Sequence, residues 1–430
     1  MRRLLLIIIT TTLVCGLQAQ NIRDEIYKNK HYAAGFYTFY AGPAQLKTTP
    51  APQGKKPFYI SHYGCHGSRY HTAASSYDKP YETMLKADSL GKLTVLGQDV
   101  LRRLSLIRED AWQRWGELTD LGGQQQREIM ERMMERFPEV FTDKANIDAR
   151  STTLTRCIIS MEYALLQIAL RHTGILHQNA TRRDTRYLNY EDKKLMAVQM
   201  DSATTARYNA LACRYQHPDR LFSLLFNDTA YVRHQLNAAQ LYSSLFRLGG
   251  NLQNMDYRHQ LTLYDLFTEE EAYNNWKIAN AWSYINYGGY TGNGGQQPYA
   301  QRYLLRKMIE QADSVIRQSC PTVHLRFGDE TGIIPLACLL DINGYGLATD
   351  NLDALDEMGW IDYHISPVAA NIQIIFYRHD EHDDDVLLKV LLNENEARLP
   401  LPADRAPYYR WSDFRKYYLK KLDDYENENK

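Results

Sequence analysis

The sequence predicts an α/β fold: a central, mostly parallel sheet flanked by helices, with an inserted α-helical cap. Three observations carry this. Strand patterns cluster in residues 57–150 and 322–393 and interleave with helical ones. The stretch between, from residue 172 to about 299, is helical and aromatic without a convincing strand. At 44% apolar and 23% charged residues, the 430-residue chain can bury a large core. The division that follows is a leader over 1–19, a discontinuous core over 20–171 and 300–430, and a cap over 172–299.

The elements follow in order. Arg2 and Arg3 precede an apolar run from Leu4 to Leu17, too short for a bilayer span, and small Ala19 closes it. This reads as a secretory signal cut after Ala19, with a periplasmic or secreted product; a lipoprotein anchor at Cys15 is the lesser reading, because bulky Val14 precedes it. A proline-bearing loop spans 43–56. Phe58–Tyr63 is a strand between Pro57 and Gly64. Residues 123–140 form a helix, 146–150 a short strand, and Ser151 can cap a helix over 154–171. Further helices cover 269–287 and 301–318, separated by a Gly-rich rim loop over 288–295. A strand at 323–327 leads into a helix over 333–340, and strands at 371–377 and 386–392 follow.

Charge excludes some partners. Lys and Arg number 50 against 51 Asp and Glu, so no global basic field exists to hold nucleic acid. After the leader no apolar run is long enough for a membrane span. Five cysteines remain (Cys65, Cys157, Cys213, Cys320 and Cys338), and an odd number leaves at least one thiol free.

Three strands end in reactive residues: Cys65-His66-Gly67-Ser68-Arg69, then Arg150 before a helix, then Asp329-Glu330-Thr331 before another. In open α/β sheets ligands bind at such carboxyl ends, and helix N-termini there favour anions. A histidine, two arginines and an acid suit phosphoryl transfer to histidine. The guanidiniums grip phosphate oxygens, the imidazole attacks, and the acid protonates the leaving alcohol. Each residue alone has a plainer reading as a hydrogen-bonded histidine, a surface ion pair or a helix cap.

The chain resembles the histidine acid phosphatases, in the branch of the multiple inositol polyphosphate phosphatases and their exported bacterial relatives. The resemblance rests on Cys65-His66-Gly67-Ser68-Arg69 against the family's Arg-His-Gly-x-Arg, and on the segment Ala149-Arg150-Ser151-Thr152. It also rests on the acid motif after Leu325-Arg326-Phe327-Gly328, on Leu118-Thr-Asp-Leu-Gly122 and on Asn371 to Arg378. It implies His66 as nucleophile, Glu330 as proton donor, Arg69 and Arg150 as phosphate ligands, a capped α/β core, and no metal or organic cofactor. It also implies a small phosphorylated substrate, inositol polyphosphate foremost, contacted by cap residues of the Arg182–Arg186 run such as Arg183 and Arg186; a solvated helix connection is the plain alternative.

Two phosphate-binding positions depart from the family. Cys65 replaces the first signature arginine, and Asp329 stands at or beside the place of the acid-motif histidine. Unit charges about 4 Å apart interact by roughly 4 kcal/mol at an effective dielectric near 20, so lost cations weigh heavily on rate. Two readings follow: an active phosphatase with a weakened or altered pocket, or a pseudo-phosphatase that binds a ligand on the same scaffold. Retention of His66, Arg69, Arg150 and Glu330 favours the first. Cys65 beside His66 reads as a small filler, with a reactive thiol near Arg69 as the alternative. The acidic turn His379–Asp385 looks like metal-ligand material but reads as a solvated turn.

Overall fold

The computed structural model describes residues 22–171, 174–403 and 405–429. The expected leader over 1–19 and Cys15 lie outside the described residues. Among the described residues, no helix is long and apolar enough to cross a membrane.

One eight-stranded sheet organises the chain. Its strands are β1 (Lys56–Cys65), β2 (Asn146–Ser151), β3 (Ile175–Asn179), β4 (Thr322–Gly328), β5 (Asn371–Arg378), β6 (Leu387–Leu392), β7 (Asn395–Ala397) and β8 (Tyr409–Arg410). They run in the order β8-β6-β5-β1-β4-β2-β3, with β7 paired to β6. The half from β1 through β4 and β2 to β3 is parallel. The other half, from β1 through β5 and β6, is antiparallel. Every residue of β1 after Lys56 is buried, as befits a central strand covered on both faces. Along β2, by contrast, Ile147, Ala149 and Ser151 are buried while Asn146, Asp148 and Arg150 share the more open face.

β3 corrects an expectation, because it lies inside the stretch read as helical without a convincing strand. It pairs through residues 175–179 with residues 146–150 of β2 and stands at the end of the strand order. An edge strand has one neighbour and little burial to pattern its sequence, so Ile-Leu-His-Gln-Asn carries a weak strand signal. A second correction concerns Ser151. It is the last residue of β2, its hydroxyl donates to the Thr152 carbonyl at 2.8 Å, and the helix starts only at Thr155 with no side-chain cap.

The helices include α1 (Ser75–Ser89), α2 (Val95–Asp110), α3 (Asp120–Arg136), α4 (Thr155–Ala169), α5 (Ala238–Leu252), α6 (Glu269–Tyr287), α7 (Arg302–Val315), α8 (Glu330–Leu339) and α9 (Trp411–Glu428); a 14-residue helix over Ser202–Tyr215 and several shorter ones lie among them. Successive residues of β1 point to opposite faces, so Tyr59 and Tyr63 join one apolar cluster with α7, α8 and α9 while Ile60 joins another with α3 and α4. A third cluster unites α1 and α2 with the cap helices α5 and α6 through Tyr77, Leu104, Leu241 and Trp276. The Gly288–Gly295 stretch, expected as a rim loop, sets Gly289–Tyr290 parallel to Ala348–Thr349 and buries Tyr290. All five described cysteines are unpaired.

The loop after β1 is clamped from several sides. Cys65 N–H donates to the Ala370 carbonyl at 2.7 Å, His66 N–H to Gly328 at 3.0 Å, and Ala369 N–H to His66 at 3.0 Å. Ser68 N–H donates to Gln125 Oε1 at 2.8 Å, and its hydroxyl to Asn254 Oδ1 at 2.8 Å. Thr119 N–H donates to the Ser68 carbonyl at 2.9 Å, which brings the Leu118–Gly122 motif against the loop. Gly67 and Gly122 then meet backbone to backbone, and a Cβ on either would run into the other segment's main chain. Gly122→Ala is therefore expected to destabilise the protein by about 1–3 kcal/mol, the usual range for overpacking. Denaturant unfolding would show it, and an unchanged midpoint would contradict the close approach.

Candidate active site

The parallel pairing of β1 with β4 sets Cys65 opposite Gly328, so the residues following each strand emerge side by side. On one side is His66, only 4% exposed. Its Nδ1 lies 2.9 Å from the Gly67 carbonyl, an acceptor, so Nδ1 carries the proton and Nε2 keeps its lone pair. Arg69 Nε–H donates to that Nε2 at 3.2 Å. On the other side, at the start of α8, Glu330 Oε1 lies 3.3 Å from Arg69 Nη2 and Oε2 lies 3.5 Å from His66 Nε2. The three side chains thus close a triangle.

Its electrostatics follow from burial and neighbours. Burial, and then the Arg69 charge, hold His66 below the usual histidine value despite Glu330, which favours the neutral ring. Burial by itself would raise the Glu330 carboxyl, but Arg69 and His66 outweigh it and hold Glu330 well below the usual carboxylate range. Burial, then Glu330 and Asp329, push the Cys65 thiol well up, so it stays protonated. Cys65 lines the pocket as a small neutral group, and the reactive-thiol alternative fails on that ground.

Asp329 is tethered. Its Oδ1 accepts from Thr331 Oγ1 at 2.6 Å and from Asn189 Nδ2 at 3.3 Å, while Oδ2 lies 3.7 Å from Arg156 Nη2. Burial and the adjacent Glu330 raise its carboxyl above the usual value.

The structure brings His66, Arg69, Glu330, Asp329 and Cys65 together, but it takes Arg150 elsewhere. Arg150 pairs with Asp148 at 2.9 Å on the open face of β2, with 28% of its side chain exposed. The basic residue reaching the site is Arg156, in the first turn of α4, whose Nε has no hydrogen-bond partner among the described residues. The sequence reading misses it because it takes the second phosphate arginine from the Ala149–Thr152 segment before the helix. Strand alternation held the signal: Arg150 shares a face with Asp148, two residues away, and so points across the sheet.

Of the cap residues, Arg183 is 93% exposed and pairs only with neighbouring Asp184, while Arg186 lies over the Tyr190 ring at 5.1 Å. Asn189, in the same segment, is the one that contacts Asp329 and Thr331. Two more lining residues, Phe36 and Tyr37, come from the segment before β1. Arg69 lies 5.2 Å from the Tyr37 ring centre, and the Tyr37 hydroxyl is 3.2 Å from His71 Nδ1. No cluster of three or more His, Cys, Asp or Glu placed to hold a metal ion occurs among the described residues. In the acidic turn, Asp383 and Asp385 face Lys55 at 2.7 and 3.6 Å.

Comparison with known proteins supports this reading of the fold. A multiple inositol polyphosphate phosphatase from Bifidobacterium longum, solved with inositol hexasulfate, superposes with a TM-score of 0.74 at 17% identity, over 90% of this chain and 97% of that one. The phytase from D. castellii gives 0.65 at 15% identity, over 91% and 85%. The Hafnia alvei phytase with myo-inositol hexakis sulphate gives 0.52 at 14%, over 86% and 98%. No curated protein matches the sequence. At these identities the likeness speaks for the fold; the sequence profile of branch 2 of the histidine phosphatase superfamily, however, matches residues 66–393, beginning at the buried histidine itself. The chain therefore belongs to that superfamily branch.

Proposed function

We propose that the protein is an exported phosphomonoester hydrolase working through a phosphohistidine on His66. The observation that carries this is the His66 lone pair at Nε2, held neutral and facing both Arg69 and Glu330. Arg69 and Arg156 bind the phosphate oxygens of the substrate. Nε2 attacks phosphorus as the bond to the leaving alcohol breaks, and Glu330 gives that oxygen its proton. Water then attacks the phosphohistidine, Glu330 takes the water's proton, and the P–N bond breaks to release phosphate.

At rest Glu330 occupies the space between His66 and Arg69, as an anion. A substrate dianion competes for Arg69 and raises the Glu330 carboxyl, so binding itself loads the acid. Asp329 does not leave the pocket without a second cation, since Arg156 faces it. Arg156 thereby takes the place expected of Arg150 and does not restore the two family cations, so the active reading rests on His66, Arg69, Arg156 and Glu330 standing together. Inositol polyphosphates are the leading substrate class, supported by the fold shared with a multiple inositol polyphosphate phosphatase and with phytases.

Phosphate release from an inositol phosphate panel tests the reading. His66→Ala is expected to fall to background, and retained turnover would contradict the nucleophile. Arg156→Ala should cost about 10- to 100-fold in kcat/KM, the value of about 1.5–3 kcal/mol for a hydrogen bond to a charged group, while Arg150→Ala stays within about twofold. Equal losses would contradict the placement of the two arginines. The Glu330 carboxyl is held below its usual value, so its protonated fraction falls as pH rises through the acidic range, while His66, also held below its usual value, loses its proton at lower pH than an ordinary histidine. The kcat/KM of the wild type should therefore descend from acidic toward neutral pH, and Glu330→Gln should flatten the descent on alkyl phosphates. A profile that Glu330→Gln leaves unchanged would remove Glu330 as the acid.

A further inference from the structure

Phe36 and Tyr37 line the pocket before His66, and they also line a second cavity of about 430 Å³. Its walls are mainly aromatic and apolar, with Tyr208, Phe246, Tyr264, Ile278, Ala279 and Trp282. The two spaces share these residues, since the pocket that Phe36 and Tyr37 line also holds Glu330. The Phe36 and Trp282 ring centres are 6.5 Å apart. The cavity wall also carries the polar side chains of Gln216, Ser243 and Asn275. Among the described residues its lining holds a single basic side chain, Arg247, and a single acidic one, Asp362. Asp362 is already satisfied by Trp276 Nε1 at 3.0 Å and Ser283 Oγ at 3.2 Å. The hydroxyl of buried Tyr264, in contrast, has no hydrogen-bond partner among the described residues.

Size, lining and charge together select a ligand. The volume lies in the range of small-molecule sites, which are mostly apolar with a few placed polar groups. A polyanion entering it would shed water and meet one cation, Arg247, whereas a flat apolar body gains by burial along most of the wall. The catalytic pocket next to it balances Arg69 and Arg156 against Glu330 and Asp329, which suits one phosphate better than many.

We propose that this cavity is a leaving-group subsite, which extends the substrate class to singly phosphorylated esters of aromatic or similarly apolar alcohols. The phosphate sits at His66, and the body passes Phe36 and Tyr37 into the cavity. An inositol phosphate has no apolar face to place there. The position of the phosphate rests on the phosphohistidine reading above.

Binding of two non-hydrolysable probes, (2-naphthylmethyl)phosphonate and methylphosphonate, to the full mature chain tests the subsite by calorimetry. The naphthyl probe is expected to bind at least about tenfold tighter, and Ala279→Trp, on α6, should erase that advantage. Should that variant fail to fold, Ser243→Phe on α5 fills the cavity from another helix. Equal or absent binding of the two probes, or an advantage that survives cavity filling, overturns the proposal. Assays with 2-naphthyl phosphate and phytate separate the two readings. A naphthyl advantage without any turnover keeps the subsite and removes the phosphohistidine, while turnover without the advantage does the reverse.

Discussion

The site depends on one register, the parallel pairing of β1 with β4 that sets Cys65 opposite Gly328. Because the two strands end together, the segments that follow leave the sheet at the same edge, and His66 meets Glu330 although 263 residues separate them. The Gly328 carbonyl receives the His66 N–H, and the Ala369 N–H donates back to His66, so β5 contributes through its preceding turn. A slip of one residue would turn every side chain of β1 to the other face and take the histidine away from its partners. The glycine contact between Gly67 and Gly122 clamps the loop from a third direction.

Within that frame, the departures from the family pattern have a consistent electrostatic meaning. Cys65 is small, buried and neutral, so losing the arginine there leaves no charged group behind. Asp329 is the opposite case, an added carboxylate in a buried site, and a lone buried charge costs far more than a paired one. Arg156, Thr331 and Asn189 gather around it. Glu330 in turn lies against Arg69 and His66. Two carboxylates and two guanidiniums therefore share the space beside a neutral imidazole, each acid with its own cation.

Much of this was legible in the sequence. An apolar run between Pro57 and Gly64 announced β1, apolar runs announced β4 and β5, and the reactive residues after β1 and β4 marked the edge where the candidate site lies. What escaped had weak local signals. β3 is a short edge strand whose side chains need not alternate for burial, so it was taken into the helical stretch. Arg156 was missed because the second phosphate arginine was placed at Arg150, near the end of β2, whereas the arginine that reaches the site lies in the first turn of the helix that follows. Phe36 and Tyr37 reach the pocket from a segment before the sheet begins, through contacts that only tertiary packing sets. Arg183 shows the converse, a basic run whose charge faces water.

The central claim is that His66 carries the phosphoryl group, and the most direct measurement is to trap it. Rapid quenching of the protein during turnover, followed by peptide mass spectrometry, should find one phosphoryl group per chain on the peptide containing His66. The bond should survive base and be lost in acid, as expected of a phosphorus–nitrogen linkage. A phosphoryl group on another residue, or steady turnover with no adduct at any quench time, would contradict the account.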